Sequence, residues 1–393
     1  MKASVPGRAD VVVVGAGVIG LTVAYELGRR GRGVLVLERA YPGSGATRAA
    51  AGMLAPTSEA ETAEPALIDL ALDSLRRYPR FVAELEALTG LSCQYRTEGT
   101  LWVALTRNDE TDLDHLERLQ REKGLAPQRL TGADVLEREP HLSGRVLSGL
   151  WVPDDHQVEP RALARCLEAA VLAGGGAIAS GATVTGVETG AGRVRGVSGS
   201  GADGQWETAC DAVVLAAGAW TGLAITPPVP GLGVRPVKGQ LLRLRGPRLI
   251  EHVVRHPDVY LVPRRDGELV IGGTMEEQGY DETPTAGAAL DLLRAAWRVL
   301  PGIYDLQFVE LSVGLRPAVR DHLPVIGGTS IDGLFVATAH FRHGILLAPA
   351  TGHYLAELIA GGATPSALAP FALARLADED PAGRPRALRR ARE

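Results

Sequence analysis

Gly15-Ala16-Gly17-Val18-Ile19-Gly20, followed by Glu38, is the residue set in this chain with the clearest chemistry. Glycines at that spacing permit a tight turn, close approach of a pyrophosphate to the backbone, and close packing of a helix on a strand. A helix starting there offers N–H donors and a positive dipole end to phosphates. A carboxylate at the interval of Glu38 accepts hydrogen bonds from ribose hydroxyls and disfavours a 2′-phosphate. Arg316, held by Pro317, carries a planar guanidinium able to grip a carboxylate through two parallel hydrogen bonds, though a lone arginine also reads as a structural ion-pair residue. The run His340-Phe341-Arg342-His343-Gly344-Ile345-Leu346-Leu347 reads as a strand-to-helix turn. Its N–H groups suit an edge that becomes negative on two-electron reduction, such as that of a flavin, or they are simply solvated. Tyr260 has a hydroxyl able to reach a carboxylate, or it packs ordinarily. His340 and His343 lack i, i+4 spacing and a carboxylate cluster, so no metal is expected. No Ser-His-Asp or Cys-His arrangement is suggested.

The elements that must position these groups follow from the apolar periodicity. A buried strand is expected over 10–14, a helix over 21–30 and a second strand over 34–37, ending on Glu38. The small-residue segment 42–54 reads as a loop that lets backbone pass close to a flat ligand. Helices are expected over 65–88, 109–123, 159–173, 285–300 and 344–360, with a short one starting at Thr131. Strands are expected over 99–105, 177–179, 183–187, 194–198, 234–244, 259–263, 268–273 and 333–338. Another apolar strand, within 211–220, ends in a small-residue turn, and a strand is expected just before Arg316. Dinucleotide-type units thus stand at the start, near 215 and at the C-terminal end, with antiparallel-looking strands between. The expected fold is α/β: a discontinuous Rossmann-like domain for a dinucleotide (1–88, 140–233 and 308–375) with an inserted α+β substrate domain on a mainly antiparallel sheet (89–139 and 234–307). The arginine-rich segment 376–393 reads as a disordered tail.

The 393 residues suggest about two domains, and 46% hydrophobic with 22% charged residues is an ordinary globular mixture. A net charge of −5 gives no reason to expect nucleic acid or an anionic membrane. Cys93, Cys166 and Cys210 show no pair spacing, which argues against a disulfide framework or zinc site and fits a reducing cytoplasm. No apolar stretch is long enough to span a membrane, and no signal peptide is expected.

Taken together, these motifs resemble the D-amino-acid oxidase superfamily of FAD-dependent amine oxidoreductases, and within it the glycine oxidases. The matching segments are 12–20, 49–54, 237–240, 260–264, 271–275, 314–317 and 340–352, in order along nearly the whole chain. The resemblance implies FAD, with Gly15, Gly17, Val18, Ile19, Gly20, Glu38 and Arg39 lining the ADP half and Val184 on the adenine side. Ala46, Thr47, Ala51, Gly52 and Met53 would pass beside the ribityl chain and flavin, with Gly218 also in the cofactor site. His340, Phe341, Arg342, His343, Gly344, Ile345 and Leu346 would meet the ring. Arg316 would clamp the substrate carboxylate, Tyr260 would add a hydroxyl, Arg342 would sit at the pocket edge and Met275 would form a wall. No cysteine falls near 314–347, so the FAD is expected to be noncovalent. The implied reaction is oxidation of glycine, sarcosine or a small D-amino acid to the imino or oxo acid. Oxygen is reduced to hydrogen peroxide, with a possible outlet in thiamine thiazole synthesis. The alternative is a D-amino-acid or proline dehydrogenase with another acceptor. The expected partners are a small amine substrate, O2 and further copies of the chain, as a dimer or tetramer. One stretch departs from the glycine oxidase pattern: a tyrosine and a histidine would be expected at Arg255 and Asp258, which leaves the preferred amine open.

Overall fold

The computed structural model describes residues 5–57, 65–223, 225, 226 and 228–376. The expected tail over 376–393 lies outside the described residues beyond Leu376. Two compact units are present, one of residues 1–44, 167–236 and 316–393, the other of 45–166 and 237–315. The fold is α/β, as expected.

The first unit is built on a six-stranded sheet ordered Val325–Gly328, Leu334–Thr338, Ala212–Leu215, Val11–Val14, Val34–Glu38, Ala177–Ser180. Its pairs are parallel except that Val325–Gly328 runs antiparallel to Leu334–Thr338. The unbroken valine run of Val11–Val14 is fully buried, as a central parallel strand requires. The first helix, Val18–Gly28, starts earlier than the expected position 21 because the glycine turn feeds directly into it: Leu21 N–H donates to Gly17 O at 2.9 Å. This helix packs on Gly344–Gly361, and a Cβ at Gly352 would come within 2.6 Å of Thr22 Cγ2. The strands Thr183–Gly190, Arg193–Gly201 and Gly204–Ala209 form a separate antiparallel sheet whose apolar side joins the same core.

The second unit carries an eight-stranded sheet ordered Gln307–Ala318, Arg235–Arg245, Glu268–Gly272, Val259–Pro263, Val253–His256, Thr100–Ala104, Ser148–Val152, Gln128–Thr131. Val253–His256 and Thr100–Ala104 run parallel, while the neighbours from Arg235–Arg245 to Val253–His256 alternate in direction. Strand alternation gives this sheet two faces. One face, with Leu242, Leu261 and Ile271, packs against Leu292, Ala296 and Val299 of the helix Ala286–Val299. The other, with Leu241, Val253, Val262 and Val270, is covered by Ala49, Ala51 and Met53.

Residues 45–88, 140–166 and 308–315 group with this unit rather than with the first, a difference from the expected boundaries. The reason is pairing: Ser148–Val152 joins Thr100–Ala104, Gln307–Ala318 extends the sheet, and Lys123 and Gln120 hold Asp69 and Thr57. Although far apart in sequence, Cys93 and Cys166 are both buried and share a hydrogen bond that, with burial, pushes the Cys93 thiol up.

Candidate active site

In the first unit the glycine turn is fixed by contacts that only glycine tolerates. Gly15 has φ +105°, and a Cβ there would sit 2.5 Å from Ala216 O; one at Gly20 would sit 2.0 Å from Gly15 O. Gly17 occupies the N-cap in extended conformation and has no side chain to cap the helix, and no acid stands in the first turn. Val18 and Ile19 are buried behind this turn. The positive helix end therefore keeps its capacity for an anion, as a pyrophosphate requires. Glu38 ends its strand with both oxygens held, Oε2 by Ala16 N–H and Oε1 by Ala40 N–H, each at 2.9 Å. A carboxylate oxygen can accept twice, so this fixation leaves capacity for ribose hydroxyls. Arg39 is exposed, with its guanidinium 3.8 Å from the ring centroid of Trp220, and Gly218 opens the short turn carrying that tryptophan at φ +56°. Val184 is buried in the core beside Val12 and Leu35.

The strand-to-helix turn after Leu334–Thr338 is unusual in backbone. Ala339 and Phe341 both have positive φ, +58° and +47°. Such conformations in non-glycine residues cost on the order of 1–3 kcal/mol each and cluster at functional sites. The helix Gly344–Gly361 begins at His343 with no side-chain cap and no acid in its first turn, so Gly344, Ile345 and Leu346 stand at a second positive helix end. His340 is buried, its Nε2 lies 3.1 Å from Thr351 Oγ1, and burial, aided by His343, lowers its pKa from 6.5 to about 3. The imidazole is neutral, so the positive pole here comes from helix amides.

Arg316 lies inside the strand Gln307–Ala318 rather than beyond one, as sequence suggested, because Pro317 and Ala318 continue the extended backbone. It is half-buried. Pro317 O accepts the Phe341 amide at 2.9 Å, which ties the arginine's segment to the turn. Arg342 is exposed, 5.3 Å from the Phe341 ring centroid, and His322 stacks on the same ring at 4.5 Å.

In the second unit, Ala46, Thr47, Ala51, Gly52 and Met53 follow a loop pinned from behind. A Cβ at Gly52, whose φ is +79°, would sit 2.0 Å from Val158 O, and Gly52 O accepts the Val158 amide at 2.9 Å. Ala49 Cβ leaves room only for a hydrogen at Gly314, where a Cβ would meet it at 2.6 Å. Arg264, overlooked as a functional residue in the sequence, is the loop's anchor: its guanidinium donates to Ala51 O, to Gln157 Oε1 at 3.2 Å and to Val158 O at 3.1 Å. Burial lowers its pKa to about 10, which still leaves it charged at neutral pH. The signal for it was an arginine placed directly after the apolar strand 259–263. Tyr260 lies on that strand, on the face covered by the loop, and its ring crosses Gly272, where a Cβ would meet the hydroxyl at 2.3 Å. Met275 follows the strand Glu268–Gly272 and is 59% exposed on this unit. Among the described residues, no group of three or more His, Cys, Asp and Glu is placed to hold a metal ion, and no helix is long and apolar enough to cross a membrane.

These features, two uncapped helix ends and an immobilised acid after the second strand, fit FAD. Residues 10–358 match the family model described as DAO, FAD dependent oxidoreductase. Glycine oxidase of Geobacillus kaustophilus is 35% identical over 373 residues, covering 94% of this chain and 97% of that protein. A crystal structure of glycine oxidase from the same organism overlaps with a TM-score of 0.86 at 34% identity, over 94% of this chain and 99% of that one. The bifunctional protein ThiO/ThiG of Trichormus variabilis is 38% identical over 356 residues, 89% of this chain, but the chain spans only 52% of that relative's length. Because the family match begins at the first strand and runs almost to the end of the last helix, the chain belongs to the DAO family of FAD-dependent oxidoreductases.

Proposed function

We propose that this protein oxidatively deaminates glycine and other small amines, among them sarcosine and small D-amino acids, with O2 as electron acceptor. The observation that carries this reading is the hydrogen bond from Phe341 N–H to Pro317 O, which keeps Arg316 beside the turn whose amides suit a flavin. Near-complete coverage of a glycine oxidase by this chain supports the same substrate class. FAD, when bound, accepts two electrons from the amine's Cα–H and delivers them to O2, giving hydrogen peroxide. In the first unit, Gly15, Gly17 and the first helix end would hold its phosphates, Glu38 its ribose, and the turn 340–346 its ring end. Arg316 fixes the substrate carboxylate by a forked pair of hydrogen bonds, and fixing it orients the Cα–H, a positioning effect that supplies much of the rate. The substrate reacts as free amine, so no side chain need remove the Cα proton. The imino acid then hydrolyses to the oxo acid and ammonia.

The likeness to part of a ThiO/ThiG protein supports an outlet in thiamine thiazole biosynthesis. Three buried free cysteines support a cytoplasmic setting, and assembly as a dimer or tetramer completes the reading.

Arg316→Ala tests the clamp. Loss of a charge-assisted, forked contact predicts a fall of roughly 10- to 100-fold in kcat/KM for glycine, with the bound-flavin spectrum retained. Unchanged kinetics, measured by peroxide release, would remove Arg316 from the site. An enzyme that bleaches anaerobically with glycine but releases no peroxide in air would be a dehydrogenase.

A further inference from the structure

We infer that Arg375 is a positioning residue for the turn 339–343: from the C-terminal segment it braces His322, whose ring holds Phe341 in place. This deepens the proposed function and rests on that turn's amides serving the flavin. Every residue involved lies in the first unit. Ala339 and Phe341 both have positive φ, and non-glycine residues keep such backbone only where their surroundings over-determine it. The Phe341 amide, bonded to Pro317 O, supplies one restraint. The other is a stack: the His322 and Phe341 ring centroids are 4.5 Å apart, with an interplanar angle of 15°. His322 itself stands at φ +57°, so the stack pairs two left-handed residues from different loops. It holds only if the loop beneath His322 is itself fixed.

Arg375 fixes that loop. Its Nε donates to Asp321 Oδ2 at 2.9 Å and its Nη2 to Asp321 Oδ1 at 3.3 Å, a fork, while Nη2 also donates to Leu323 O at 2.9 Å. The residues on either side of His322 are thus held by one guanidinium. Asp321 Oδ1 accepts the Leu323 amide at 3.0 Å and Val319 O the His322 amide at 3.1 Å, which closes the loop. Arg320 adds a second tie, from Nη2 to Leu376 O at 3.2 Å. A fully exposed ion pair would contribute little, but this one is forked, and its Arg375 and Asp321 side chains are only 18% and 33% exposed. The arginine also stands on a firm base. Its Nη1 donates to Ala372 O at 3.2 Å, and Leu368, Phe371 and Leu376 around it are buried. The short helical turns Ser366–Phe371 and Leu373–Leu376 that carry these residues pack against Val325–Gly328, the strand that leaves the His322 loop. Influence therefore runs from Arg375 through loop 319–323 and His322 to Phe341.

The test measures amide hydrogen exchange and flavin potential in the FAD-loaded wild type, Arg375→Met and His322→Asn. Methionine keeps an unbranched chain but removes the fork, and asparagine tolerates left-handed backbone but removes the stacking ring. Both variants should speed exchange of the Phe341 amide roughly 3- to 10-fold, the worth of one ring stack. Loosened amides stabilise a reduced, negative ring less well, so the flavin midpoint potential should drop by roughly 20 mV, about a fivefold change for a two-electron couple. A clasp that is structural only would loosen 319–323 and 366–376 in Arg375→Met while leaving the Phe341 amide and the potential as in the wild type, which would overturn the inference. Should Arg375→Met fail to fold, Arg375→Lys, which keeps the charge without the fork, takes its place under the same criterion. An unmoved Phe341 amide in His322→Asn, altered at an exposed residue, would overturn it as well. If the turn loosens in both variants while the potential stays fixed, the clasp stands and the placement of the flavin at this turn fails instead.

Discussion

Replacing His340 by Gln should flatten the acid limb of the protein's stability curve. In the folded state burial lowers the His340 pKa from 6.5 to about 3, so the native protein leaves this ring neutral while the unfolded chain protonates it. Between those two values the unfolded state binds more protons, and stability therefore rises with pH. The penalty is absent above the unfolded value, grows as pH falls through it, and levels off only near the folded value. Each pH unit below the unfolded value weakens folding by about 1.4 kcal/mol, so moving from about pH 7.5 to about pH 5 removes roughly 2 kcal/mol through this one residue. Other groups, among them the part-buried His156, whose pKa is also lowered by burial, contribute to both proteins alike. The assay is urea denaturation of the FAD-loaded wild type and His340→Gln at several pH values, followed by flavin fluorescence and circular dichroism. Gln changes the hydrogen bond to Thr351 as well, so an offset at neutral pH is expected and is not the readout. The readout is the slope: the variant should lose about 2 kcal/mol less than the wild type over that interval. Parallel curves would mean that His340 is protonated in the native state, and the assignment of the positive pole to helix amides would fall with it.

Gly52→Ala should lower the melting temperature and weaken FAD binding together, because the new methyl must displace Val158 O from 2.0 Å at a residue with φ +79°, strain on the order of 1–3 kcal/mol. Differential scanning fluorimetry with and without added FAD reads both effects, and an unshifted holo transition would refute the close approach. Glu38→Ala should raise the FAD dissociation constant about 10- to 100-fold, since the variant loses a charged acceptor for ribose and frees the Ala16 amide. Flavin fluorescence quenching during titration measures it, and a constant within twofold of wild type would exclude the ribose role.

The parts legible in the sequence are those whose physical cause is local. The buried valine run, the glycine turn and Glu38 declare a parallel unit because each residue there has one steric or electrostatic job. Thr285 and Thr131 announce the helices Ala286–Val299 and Gly132–Arg138 through side-chain caps on Ala288 and Asp134 amides. The strand Gln307–Ala318 was harder to bound, since its first half is mixed polar and exposed and Pro317 reads as a stop. Edge strand Gln128–Thr131 is partly exposed and has no apolar alternation. Arg264 escaped a role because its importance lies in three acceptors contributed by 51, 157 and 158, a convergence no spacing encodes. The register that sets Arg255 beside Tyr260 likewise needs both strands in place, although the unusual residue type at 255 was visible beforehand.

Gly352 and Thr22 meet partway along the two helices whose first turns carry no acidic residue. The gap between those electropositive poles is thus gauged by a single hydrogen atom against a methyl group. Any bulkier residue at 352 wedges the rods apart and alters how far a bound dinucleotide must stretch from its phosphates to its redox end. Cofactor fit in this enzyme can be retuned by breeding one small residue for size, at a position distant in sequence from both first turns.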